Sequence, residues 1–169
     1  MPLSVSVHGK PPHGIFYMKR DVSINIKSVQ IAENERDTTE LFTCGRLSHG
    51  RGTHGDYTLS YHESEVTGFE GNKISLLVTG DNMVVMQRSG SAPSNLVIEK
   101  GKKHHCHYGT PYGDFMVGIT ADDVVCNLND SGGDLYLKYT IDINSTLMSE
   151  NEMYIDFKDI SGETNEYNT

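Results

Sequence analysis

From Asp134 to Asn144 the chain reads DLYLKYTIDIN, with Leu135, Leu137, Tyr139, Ile141 and Ile143 in every second place. Successive side chains of a strand point to opposite faces, so this period of two predicts a strand with one buried face and one wet face. The rhythm recurs along the chain. Asp21–Ile31 sets Val22, Ile24 and Ile26 on one face, after which Val29 and Ile31 fall out of phase and predict a bulge near Ser28. Thr38–Gly50 groups Leu41, Thr43 and Gly45, and Tyr57–Glu65 groups Tyr57, Leu59, Tyr61, Glu63 and Glu65. Lys73–Gly80 turns through Gly80-Asp81-Asn82 into Met83–Gly90, with the turn residues of a hairpin in place.

The remaining segments continue the meander. Asn95–Gly101 leads into His104–Thr110, and Pro111–Thr120 joins Asp123–Asn129 at Ala121-Asp122. Glu33–Asp37, Arg51–Asp56 and Asp130–Gly133 read as turns, and Ser145–Glu152 as a single helical turn before a last strand at Met153–Ile160. About ten short strands with little helix make an all-β protein, and such a sheet must close or stack to remove its edges. Hairpin links between neighbours favour a closed or nearly closed antiparallel up-and-down β-barrel of about 8–10 strands over a Greek-key sandwich.

The expected boundaries are a loose N-terminal arm or non-native extension over 1–17, one barrel domain over 18–160 and a polar tail over 161–169. The first segment carries Pro2, Pro11 and Pro12, and Met18 opens directly onto a strand. A peptide from the native protein beginning before Met18 would exclude a natural start there.

With 169 residues the chain can bury a real core. A net charge of −9 argues against nucleic-acid binding, which needs a basic stripe; the local cluster Lys100, Lys102 and Lys103 reads as a soluble strand end. No apolar run is long enough to span a membrane, and residues 1–17 lack the pattern of a signal peptide. Cys44, Cys106 and Cys126 are three in number, with no CxxC, which suits reduced thiols and a cytoplasmic location.

Five elements in order resemble a known family: YHESEVTG at Tyr61–Gly68, MQRSG at Met86–Gly90, LVIEKGKKH at Leu96–His104, TPYG at Thr110–Gly113 and GG-L-L-Y at Gly132–Tyr139. Over about Arg20 to Lys158 the chain is similar to the YwiB-like proteins of Firmicute bacteria, a domain family of unknown function. The resemblance implies a calycin-like, lipocalin-type barrel in a small cytoplasmic protein. It implies no activity. Residues 1–17 lie outside the pattern, and the HHCH step at His104–His107 has no counterpart in it.

Chemistry concentrates at few places. Glu63 and Glu65 share the phase of Leu59 and Tyr61, and Arg88 that of Val84 and Met86. If Leu59 and Val84 mark the interior, both carboxylates and the guanidinium enter one lumen, where an ion must be paired or meet a charged ligand. One reading is a ligand site for a small polar or anionic molecule, anchored by Arg88, with Tyr61, Glu63, Glu65, Tyr108, Thr110, Tyr112 and Tyr139 around it. The plainer reading is a structural Arg–Glu pair. Thr110-Pro111-Tyr112-Gly113 is a corner, or a ligand-contacting rim.

His105 and His107 share a strand face, but two ligands do not make a zinc site, so no metal is assigned. Cys106 has histidines only as chain neighbours, which point away from it on a strand, and no catalytic residue or cofactor is assigned. The expectation is thus a non-enzymatic barrel that binds a small molecule or a protein partner. The alternatives are an enzyme using Glu63 or Glu65 as general base, and a structural module with a filled barrel that oligomerises, a homodimer being one form.

Overall fold

The computed structural model describes residues 18–50, 56–65, 68 and 70–162. The expectations for 1–17, for Arg51–Gly55 and for the tail beyond Gly162 fall outside the described residues. Among the described residues ten antiparallel strands form the barrel: β1 (Met18–Ala32), β2 (Glu35–His49), β3 (Tyr57–His62), β4 (Lys73–Thr79) and β5 (Met83–Ser89) make the first half. β6 (Ser94–Glu99), β7 (Lys103–Thr110), β8 (Gly113–Asn129), β9 (Gly132–Ile143) and β10 (Thr146–Asp159) make the second. Each pairs with its chain neighbours, and β1 pairs with β10 to close the barrel, so the topology is up-and-down throughout.

Turn chemistry sets the two longest hairpins. Between β1 and β2, Glu33 and Asn34 both take positive φ, 52° and 64°; between β9 and β10, Asn144 and Ser145 do the same at 50° and 67°. Two such residues in succession form the two-residue turn whose twist matches paired strands. The second turn replaces the helical turn expected at Ser145–Glu152, because Thr146 onward is already strand.

The bulge expected near Ser28 is also absent. β1 pairs without a break with β10 from Val22 to Ile31 and with β2 from Met18 to Ala32, so the inward phase of Ile24 and Ile26 continues through Ser28 and Gln30. Val29 had suggested a phase change because it is apolar; it is a buried residue of the other phase. Register shifts occur instead between Ala121 and Asp123 and between Leu147 and Ser149. The joint expected at Ala121-Asp122 is therefore a bulge inside one 17-residue strand, β8.

The inward residues form one core. Val22, Ile24, Leu47, Leu59, Leu76, Val84, Ile98, Ile119, Leu135, Leu137 and Ile155 are almost wholly buried. Close backbone approach holds the β2–β3 seam: a Cβ on Gly45 would collide with the Ser60 carbonyl oxygen and stand 2.6 Å from Ile24 Cδ1. That seam is short, running only from Gly45 to His49 on β2. Above Gly45, β1 and β2 continue as a hairpin beyond the shorter wall of β3–β6. The turns at Glu33-Asn34, Ser89–Ser94 and Asn144-Ser145 lie at this upper end.

Candidate functional site

The interior changes character along the barrel axis. Its lower part is filled by Val, Ile and Leu, whereas toward the upper end the same phase delivers Ser28 on β1, Thr39 on β2 and the buried Asn151 on β10, and then Gln30 and Asp37 on the exposed rim. On the facing wall the phase of Leu59 delivers Tyr61 and Glu63, and the phase of Val84 delivers Met86 and Arg88. Between these walls lies a cavity of about 430 Å³, bordered by Ile26, Leu41, Tyr61, Glu63, Arg88 and Tyr139 among others. A smaller pocket of about 120 Å³ adjoins it through Arg88, Tyr139 and Asn151 and reaches Tyr108 and Ser94. The result is a cup with an apolar floor and a polar upper wall.

Arg88 and Glu63 form the one ion pair of the cup among the described residues. Arg88 Nε donates to Glu63 Oε2 at 3.1 Å, and Arg88 Nη2 donates to Oε1 at 3.4 Å. The side chains are 14% and 5% exposed, so the pair is held away from bulk water. A two-point grip of this kind satisfies both carboxylate oxygens and fixes the plane of the guanidinium. Opposite, Gln30 Nε2 donates to Asn151 Oδ1 at 3.2 Å and Asn151 Nδ2 donates to Ser149 Oγ at 3.0 Å, a chain of amide and hydroxyl groups along the wall.

The two inner phenols are proton donors over the whole physiological range. Burial pushes Tyr139 up to about 12, reinforced by Tyr108 beside it. Burial pushes Tyr61 up as well, with the Glu63 carboxylate adding to the effect. Loss of either proton would place a phenolate in a poorly solvated site.

Of the residues expected to share a site, Tyr61, Glu63, Arg88 and Tyr139 meet at the main cavity and Tyr108 borders the adjoining pocket. Three do not join them. β3 ends at His62, so Glu65 sits exposed in a turn, where its carbonyl accepts from Gly68 N at 3.0 Å. Tyr112 is 95% exposed at the tip of the β7–β8 turn. Thr110 closes that turn, its Oγ1 donating to the Gly113 carbonyl at 2.8 Å and accepting from Tyr112 N at 3.2 Å. TPYG is therefore a corner, and the fixed direction it gives Tyr112 is outward.

Gln30, Asp37, Thr39 and Asn151 also line the cavity, and the sequence reading did not single them out. A signal existed: carrying the period of two onward from Ile26 reaches Gln30, and carrying it back from Ile155 through Met153 reaches Asn151. The misplaced bulge hid the first of these.

Histidines of the HHCH step divide by phase. His105 and His107 are exposed on the outer face, His107 Nε2 lying 3.5 Å from Asp114. Cys106 is buried, and its Sγ accepts from Val97 N at 3.3 Å, filling a gap in the β6–β7 ladder. Among the described residues no group of three or more His, Cys, Asp or Glu side chains is placed to hold a metal ion. Among them, too, no helix is long and apolar enough to cross a membrane.

A closed ten-stranded antiparallel meander with a polar cup at one end defines a small β-barrel protein of the kind that can enclose one ligand. The particular family follows from the comparisons. Residues 24–155 match the model of the family described as "Domain of unknown function (DUF1934)", and the chain belongs to that family. The fold is similar to that of the ywiB protein from Bacillus subtilis, whose crystal structure superposes with a TM-score of 0.71 at 18% identity, covering 83% of this chain and 92% of that one. No curated protein matches the sequence.

Proposed function

We propose that this protein is a non-enzymatic binding protein whose upper cup holds one small, polar molecule that is uncharged or cationic. The observation that carries the reading is the cavity of about 430 Å³ between the Arg88–Glu63 pair and the amide wall of Gln30 and Asn151. That volume falls in the range of small-molecule pockets, and its few convergent polar groups on an otherwise apolar cup are what fixes a ligand's orientation.

Charge selects the ligand class. The sequence-based expectation was a small polar or anionic molecule anchored by Arg88, and the guanidinium directs two of its five N–H donors to Glu63. Asp37, facing the same side as Gln30, leaves the ionised groups of the cup with a net negative balance. An anion entering the cup meets Arg88 as the cation among the described lining residues, already balanced by Glu63, whereas a hydroxyl, amide or amine finds acceptors at Asn151 and, on the exposed rim, at Gln30 and Asp37.

The enzyme reading draws less support. Arg88 contacts both Glu63 oxygens and Glu65 lies outside the cup, so the carboxylate inside it serves first as the partner of the guanidinium. The calycin-like barrel that the sequence resemblance implies fits ligand binding at a barrel mouth, and three free cysteines, one of them exposed, fit work in a reducing compartment such as the cytoplasm.

The test is a thermal-shift series with polyols, small amines, carboxylates and phosphates. A molecule that binds only the folded state raises the melting temperature in proportion to its saturation. Amines or polyols should stabilise and the anions should not; stabilisation by phosphates or carboxylates alone would refute the charge argument.

A further inference from the structure

The upper part of β2 has one side without a strand. β2 pairs with β1 from Glu35 to His49, but its pairing with β3 covers only Gly45 to His49. Among the described residues, no strand pairs with Glu35–Cys44 on the side away from β1, although the rest of the sheet is a closed barrel. An edge of this length is a template for another strand.

We propose that this edge is the interface of a homodimer, formed by antiparallel pairing of β2 with β2 of a second copy about a two-fold axis through Thr38. The turn chemistry orients the donors. Ala32 and Glu35 flank a two-residue turn and exchange both of their hydrogen bonds, so alternate residues from Arg36 direct N–H and C=O to the open side. These are Arg36, Thr38, Glu40 and Phe42.

Side chains then choose the register. With Thr38 opposite Thr38 of the second copy, Arg36 stands opposite Glu40 and Glu40 opposite Arg36, so one symmetric arrangement makes two opposite-charge pairs and a threonine pair on the same sheet face. Phe42, 74% exposed in the single chain, then lies diagonal to the second copy's Arg36, within reach of its guanidinium. The sequence of the edge is thus complementary to itself in antiparallel order. Asp37 and Thr39, which border the cup, would lie in the same strand, so pairing would stiffen that wall; the proposal does not otherwise depend on a ligand.

Sedimentation velocity of the full chain over about a hundredfold range of concentration tests this. The wild-type protein should show a dimer in equilibrium with monomer. R36E and E40R, each of which sets like charges opposite one another twice, should each weaken association by about tenfold or more. The double swap R36E/E40R restores opposite pairs and should restore the dimer, while far-UV circular dichroism and thermal melting of each single variant show that it is folded. A wild-type monomer throughout the range would overturn the proposal, as would a dimer indifferent to the single reversals or one that the double swap fails to recover.

Discussion

Arg88 and Glu63 stand 25 residues apart in sequence yet meet in a two-point contact inside the barrel, Nε to Oε2 at 3.1 Å and Nη2 to Oε1 at 3.4 Å. The contact joins β5 to the segment just past β3, two strands that are not paired with each other, across the upper end of β4. It fixes the mouth of the cup and neutralises the one guanidinium that borders it. Removing one partner takes the two-point contact away from the other in a poorly solvated site. Arg88→Ala should therefore destabilise the protein by about 3–5 kcal/mol in urea unfolding, while the double replacement Glu63→Leu with Arg88→Met should cost much less. A double variant whose loss equals the sum of the losses of Glu63→Leu and Arg88→Met made singly would show that the pair is not coupled.

Gly45 should tolerate no side chain. A Cβ there meets the Ser60 carbonyl oxygen, which is backbone and cannot rotate away. Gly45→Ala should open the short β2–β3 seam and lower stability by more than about 2 kcal/mol, read by thermal melting. Gly101→Ala is the control for positive φ without crowding, since nothing stands within 4 Å of its Cβ position at φ +75°. It should cost about 1 kcal/mol, the strain of a side chain in that region.

The three cysteines should separate by reactivity. Cys44 is exposed, whereas Cys106 is buried with its thiol pushed up by burial, and Cys126 is pushed up to about 11 by burial with Asp81 adding to the effect. Thiolate is the reacting form, so alkylation near neutral pH should label Cys44 quickly and the other two only on unfolding. Replacement of Cys106 by Ala leaves Val97 N without its acceptor and should cost about 1–3 kcal/mol.

Alkaline pH should unfold the protein through its phenols. Tyr139 has an ordinary value of 10.0 when unfolded and about 12 when folded. Its contribution is fully present below the unfolded value and is lost as pH rises through the folded one, because the unfolded chain gives up its proton first. Stability should fall steeply from about pH 10 upward, with late tyrosinate absorbance rising together with unfolding. Tyr139→Phe should make that fall shallower. On the acid side, Asp159, Asp142 and Glu99 are held below the usual carboxylate range by bonds from Ser161, Lys103 and Lys102. Their contributions are present above the ordinary carboxylate values and fade as pH drops through the lowered ones.

Much of the architecture was legible because alternation is local. Leu135 to Ile143 could be assigned an inner face from composition and spacing alone, and so could Leu59, Tyr61, Val84 and Arg88. What local pattern could not carry was where a strand stops. Glu65 continues the phase of Glu63, but the chain leaves the sheet at His62, so two carboxylates of one phase end in different environments. Val29 misled in the opposite sense: an apolar residue buried on the second face of a long hairpin imitated a bulge, and with it Gln30 was lost from the site. Tyr112 shows a third limit, since a corner's rigidity says nothing about whether it points inward.

Native mass spectrometry of protein purified without denaturation reads whether the upper cup accommodates a small uncharged or cationic molecule. The wild-type chain should carry a bound compound that is lost from Asn151→Leu, which removes the amide bridging Gln30 and Ser149 while keeping an inward side chain of similar size. A wild-type chain that never carries or takes up such a compound, or one equally retained by Asn151→Leu, would contradict it.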